Sequence, residues 1–232
     1  MPWCAKRVYI VANIIDAWSG MRPFSLLLIF VVASTAAFAQ NASIQAKVST
    51  YDELLAKLAA GETKIDYKQL RIAYSASKDA SPYGSPHEAR RAMNAAVIEK
   101  RCADAIRMAD DILKTTYLSP DAHVAKSTCY ASQGDIQKAE FHKAVYLGLI
   151  NSILAGGNGI KPETAYVVVT VEEEYSVMKA LGFTVWAEAI ARQGEHTFDI
   201  LSATNEKTKE TGKFYFNLDF AAALLRQPKP QP

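Results

Sequence analysis

Four histidines and three cysteines in 232 residues leave little material for metal or thiol chemistry. The sequence also lacks a Gly-rich phosphate loop, a Gly-x-Ser-x-Gly elbow and a His-Glu-x-x-His pair. The usual signatures of nucleotide binding, serine hydrolysis and zinc proteolysis are therefore missing. Its apolar stretch from Phe24 to Phe38 falls short of the roughly 20 residues a bilayer-spanning helix needs. An excess of charge of one sign is lacking too. The formal charge of +2 falls to zero once residues 1–39 are set aside, because Lys6, Arg7 and Arg22 leave together with Asp16. A broad nucleic-acid or anionic-membrane surface finds no support in that balance, and no cofactor is called for.

What is present begins with an export signal. Residues 21–40 read MRPFSLLLIFVVASTAAFAQ, with Arg22 as the positive region and Leu26 to Ala33 as the apolar region. Ala37-Phe38-Ala39 then supplies a small-x-small cleavage site, so the expected cut falls between Ala39 and Gln40. Gln40 stands where a lipid-anchored protein would carry cysteine. Residues 1–20 read as an over-extended start, with Met21 the better initiator. The expected working protein is periplasmic or secreted, with no stable membrane span after cleavage.

Helical patterns follow. Thr50 and Glu53 form a capping box ahead of Leu54, Leu55 and Leu58, and Asp66 can cap a second helix carrying Leu70, Ile72 and Tyr74. After the turn-rich loop SASKDASPYGSP, the run Ser85-Pro86-His87-Glu88 predicts a third helix capped by Ser85. CADAIRMADDIL (102–113) and IQKAEFHKAVYL (136–147) then superimpose on Ala105 and Ala139, 34 residues apart. Gly134 supplies the turn in the second copy, where the first has Lys100. That period, with small residues where helices approach closely, resembles the tetratricopeptide-repeat family over residues 86–153. The match is degenerate: His123, Lys126, Ser127 and Lys143 stand where the family favours other residue types. In this register Cys102 lies opposite residues 128–132. Cys102 and Cys129 are bridged if the helices close to the ~7 Å Cα spacing a disulfide needs, and are two buried thiols if they keep the usual ~8–10 Å.

Past the glycine-rich break at 155–159 the pattern shortens. AYVVV (165–169) reads as a strand, and Thr170 to Glu173 as another capping box, followed by Tyr175, Met178 and Leu181 on one helical face. Strands are expected over 183–191, 198–203 and 213–217, then a short helix with Phe220, Leu224 and Leu225. The fold class is α+β: an N-terminal helical, tetratricopeptide-like bundle (49–154), then a small antiparallel sheet with one or two helices (162–226) and a disordered tail (227–232). DYKQLRIAYSASKDASPYGS (66–85), PETAYVVVTVEEEY (162–175) and GKFYFNLD (212–219) give the chain a resemblance to an uncharacterised bacterial family of exported proteins, a domain of unknown function. The resemblance implies an envelope or secreted protein and carries no catalytic residues.

Candidate chemistry is thin. His196, with Glu195 and Asp199 nearby in sequence, is the weak catalytic candidate, because odd spacing on a strand sends His196 and Asp199 to opposite faces. His123 and His142 could meet across neighbouring helices, but no metal site is expected. Glu172, Glu173 and Glu174 read as first-turn acids favoured by the helix dipole. Trp186 and Phe214-Tyr215-Phe216 read as core and cross-strand packing. The leading expectation is a non-enzymatic interaction module whose groove surface includes His123, Lys126, Tyr130 and Lys143, facing a protein or peptide partner. The alternative is an envelope enzyme or small-ligand binder sited between the helical and sheet parts, near His196 and the 155–159 loop.

Overall fold

A computed structural model of the chain describes residues 50–226. The expected cleavage site at Ala39 and Gln40, the early start and the tail 227–232 lie outside the described residues. The described residues fall into one compact unit. Its element order is α1 (Tyr51–Ala59), α2 (Tyr67–Ser75), α3 (His87–Ile98), α4 (Cys102–Thr115), α5 (Pro120–Ser132), α6 (Ile136–Leu154), a 3₁₀ turn (Pro162–Thr164), β1 (Tyr166–Val167), α7 (Val171–Ala180), β2 (Phe183–Gln193), β3 (His196–Asn205), β4 (Thr211–Asn217) and α8 (Asp219–Arg226). The fold is α+β. The sheet runs β1-β4-β3-β2, with β2, β3 and β4 antiparallel. The two-residue β1 joins β4 in parallel, so the sheet is mixed rather than purely antiparallel.

Local signals set the first helices. The Thr50–Glu53 capping box forms, and the Asp66 side chain accepts from the backbone N–H of Gln69. Tyr51, Leu54 and Leu58 bury one stripe of α1, and Tyr67, Leu70, Arg71 and Tyr74 one stripe of α2. Arg71 is the charged residue on an otherwise apolar face. Between α3 and α4, and again between α5 and α6, the chain turns through a left-handed residue: Lys100 at φ 59° and Gly134 at φ 79°. Both turns close the same way, with Arg101 N–H on Ala96 C=O and Asp135 N–H on Tyr130 C=O. Lys100 thus does glycine's work with a side chain attached.

The helical and sheet regions share their cores. The long α6 turns Val145 and Leu149 toward α1, α2 and Val169, while Ile150 and Ile153 pack with Tyr166, Val177, Met178, Leu201 and Phe216. On β3, Asp199, Leu201 and Ala203 alternate onto one face, and the latter two meet Val177 and Met178 of α7. Each such large apolar side chain contributes about 1.5–3 kcal/mol by leaving water. β2 is the sheet edge and mostly exposed. Trp186, expected in the core, stands at a bulge between Val185 and Ala187 and is 66% exposed. The bulge skips its pairing and turns it out of the ladder.

Candidate ligand-binding cleft

Three consecutive glutamates begin α7, and all three are buried. They are first-turn acids as expected, and the structure adds that the protein interior encloses them. Helix geometry turns successive side chains by about 100°, so each glutamate meets a different part of the interior. Glu173 takes a two-point bond from Arg71 of α2, with Nε to Oε1 and Nη2 to Oε2 both at 2.7 Å. Arg71 Nη2 also donates to the Val167 carbonyl at 2.7 Å, and Glu173 accepts from the Val169 N–H at 2.8 Å. Glu174 faces Asp199 of β3. No donor among the described residues satisfies either oxygen of Glu174 or Oδ1 of Asp199. Burial, then the neighbouring acid, pushes the Glu174 carboxyl well above its usual range, and burial raises Asp199 as well. A proton held between the two carboxyls supplies the missing bond.

Glu172 looks the other way, toward the loop before α3. Its Oε2 accepts from the Ser85 N–H and the Ser85 hydroxyl, each at 2.7 Å, and its Oε1 accepts from the Ser119 hydroxyl. Arg90 Nη1 stands 3.4 Å from Oε2 and donates to the Ser85 carbonyl. Burial raises the Glu172 carboxyl, while Arg90 and the two serines work against that rise. This network explains why α3 starts differently from expectation. Pro86 holds the cap position without a side-chain bond, because the Ser85 hydroxyl is spent on Glu172. Thr170 likewise makes no side-chain cap on α7; the Glu173 N–H donates to the Thr170 carbonyl at 3.2 Å instead. Gly84 adopts φ 73°, and a Cβ there would lie 2.6 Å from Glu172 Oε2. The Val171 N–H reaches the Pro82 carbonyl at 2.9 Å, and the Tyr74 hydroxyl braces the loop at Asp79 and Ser81.

Above this floor lies a cleft of about 730 Å³ between the 81–86 loop, α3 and α7. One face of α3 lines it with His87, Arg90, Arg91 and Asn94, at spacings of three, four and seven. Tyr83 and Tyr175 stand at 60% and 39% exposure on its walls, and Asp121 closes one side, 3.4 Å from Lys179. Tyr175 is held by donating to Glu188 of β2.

The residues singled out from the sequence lie elsewhere. His123 and Lys126 are buried, which corrects their assignment to groove surface. His123 Nδ1 is 3.0 Å from His142 Nδ1, and its Nε2 is 2.9 Å from the Tyr117 carbonyl. Burial holds both imidazoles neutral, lowering His123 to about 3 and His142 to about 4. Tyr130 stacks on His142, and Lys126 reaches Asp110 at 2.5 Å. These four form an internal polar cluster of α5 and α6. Lys143 is exposed and pairs with Glu140. Cys102 and Cys129 are joined, with Cα atoms 5.1 Å apart beside Ala96 and Ala105. His196 is exposed, 2.6 Å from Asp219 Oδ2, and neither it nor the 155–159 loop lines the cleft. Sequence reading missed Ser85, Arg90, Asn94, Glu172 and Tyr175 as a group. The stripe on α3 was visible but looks like any solvated helix face.

Among the described residues no group of three or more His, Cys, Asp or Glu is arranged to hold a metal ion, and no helix is long and apolar enough to cross a membrane. Neither a curated protein nor a solved structure matches the chain. A family model does, over residues 40–223, most of the sequence. The chain belongs to that family, the domain of unknown function DUF4919.

Proposed function

We propose that this chain is an exported, non-enzymatic binding module of the bacterial envelope that takes a small ligand into the cleft between α3 and α7. The observation that carries the reading is a cleft of about 730 Å³, within the roughly 300–1,000 Å³ of small-ligand sites, with two partly exposed tyrosines over a floor of bonded polar groups. The Ser85 and Ser119 hydroxyls beneath it are buried and bonded to Glu172, so they serve as supports rather than nucleophiles. Export is supported by the family match beginning at residue 40, the residue after the expected cleavage, and by the joined cysteines, which suit an oxidising compartment. We read α3 to α6 as two degenerate tetratricopeptide-like helix pairs, on the strength of their matched turns at Lys100 and Gly134. That scaffold presents α3 to the cleft.

The test is recovery of the ligand. Protein purified from its native cells should release a small molecule on denaturation, read by mass spectrometry. The Asn94→Trp variant, which fills the cleft, should release none. A wild-type protein that releases nothing, or a variant that releases the same molecule, would refute the reading.

A further inference from the structure

Arg90 has an unused edge. Its side chain is only 13% exposed, and Nη1 is fixed by the Ser85 carbonyl, the Ser85 hydroxyl at 3.5 Å and Glu172 at 3.4 Å. Those contacts set the plane of the guanidinium. Nε and Nη2 form no hydrogen bond among the described residues, and they are the pair of donors that meets two oxygens of one carboxylate or phosphate side-on. Elsewhere in the same protein, Arg71 uses that same Nε and Nη2 edge on Glu173. Arg90 itself lines the cleft.

We propose that the ligand of this cleft carries an oxyanion group, bound side-on by Nε and Nη2 of Arg90, with an apolar ring lying against Tyr83 and Tyr175. This rests on the cleft being a binding site. Glu172 is a weak competitor for that edge, because its oxygens already accept from Ser85 and Ser119 and it meets the opposite end of the guanidinium. The cleft lining carries two arginines against Glu172 and Asp121, so the placement of the Arg90 edge, rather than net charge, selects an anion. Arg91 and His87 share the helix face with Arg90; Arg91 is 74% exposed and its one acidic neighbour, Glu88, stands 3.4 Å away at the surface. The acid on the other wall, Asp121, is balanced by Lys179. Asn94, one turn beyond Arg90, adds an amide for a further oxygen.

Calorimetry on the full-length chain tests this with three probes of one ring size: benzoate, phenyl phosphate and benzyl alcohol. At least one of the two anions should bind roughly tenfold tighter than the alcohol, about 1.4 kcal/mol, and the tighter one names the oxyanion. Arg90→Lys should lose that preference, since an ammonium lacks the two-point edge. Arg91→Ala, at an exposed position that leaves the floor intact, should weaken the anion roughly threefold and leave the alcohol unchanged. Amide-resolved NMR locates each probe. Benzyl alcohol binding in the cleft as tightly as both anions overturns the ligand class and leaves the binding site standing. No probe shifting the cleft residues overturns both. Should Arg90→Lys fail to fold, the ranking of probes on the wild-type protein still decides.

Discussion

Replacing Glu174 with glutamine isolates the carboxyl pair inside the sheet layer. In the unfolded chain Glu174 releases its proton near its ordinary 4.5, whereas in the fold it holds the proton to a much higher pH. Over that interval the native state binds one proton more than the unfolded state, so stability is full below pH 4.5 and drains away as pH rises through the folded value. One proton corresponds to about 1.4 kcal/mol per pH unit. With a urea dependence of about 2–3 kcal/mol/M, the midpoint should fall by roughly 0.5 M per unit. Glu188 and Glu173 stand close enough to push in the same direction as Asp199. The buried imidazoles act oppositely: with His123 at about 3 and His142 at about 4, they remove stability as pH falls below 6.5 and are silent above about pH 7. Wild type and variant carry the same imidazoles, so the difference between their urea midpoints from pH 5 to 8.5 reads the Glu174 proton. Glutamine keeps the shape, donates to Asp199 at every pH and cannot ionise. The variant should lose the alkaline slope and exceed the wild type by a margin that grows with pH. A difference between wild type and variant that stays flat from pH 5 to 8.5, or a variant less stable at pH 8.5, would refute the shared proton.

Three further outcomes are expected. Arg71→Met strands Glu173 in the interior and should cost about 3–5 kcal/mol in urea unfolding, while Arg71→Met with Glu173→Leu should cost well under the sum of the single changes. Gly84→Ala combines a left-handed backbone with a Cβ 2.6 Å from a carboxylate that three donors hold in place; about 2–4 kcal/mol is lost, read as a fall of roughly 5–10 °C in Tm. Lys100→Gly relieves φ 59° at the turn between α3 and α4 and should gain about 0.5–1 kcal/mol, whereas Gly134→Lys at the matching turn should lose a similar amount.

Local chemistry was legible in the sequence, and tertiary chemistry was not. Thr50 and Asp66 cap the helices they precede because their partners lie three residues on. Ser85 carries an equally good cap pattern, yet its hydroxyl goes to Glu172, 87 residues along the chain, and Thr170 holds the cap position of α7 without a side-chain bond. Arg71 is instructive: its place on the apolar stripe of α2 marks a buried charge, but nothing nearby in sequence points to Glu173. The three glutamates were placed correctly in a first turn, but their burial was not legible, as a first turn tolerates acids whether water or an arginine meets them. His123 and Lys126 were placed on the surface by residue type, while the packing of α5 on α6 encloses them with Tyr130 and His142. On β3 the odd spacing of His196 and Asp199 does send them to opposite faces, His196 exposed and Asp199 buried. The cleft itself joins residues 81–94 to residues 171–175, and only the docking of α7 brings those stretches together.

The cleft between α3 and α7 is the proposed binding site of this protein. Titrating the molecule recovered from native cells into isotope-labelled protein, and mapping the backbone amides that shift, tests that most directly. Shifts should gather over residues 83–94 and 171–175 and vanish in Asn94→Trp. Shifts gathered instead on α5 and α6, or along the exposed edge of β2, would contradict it.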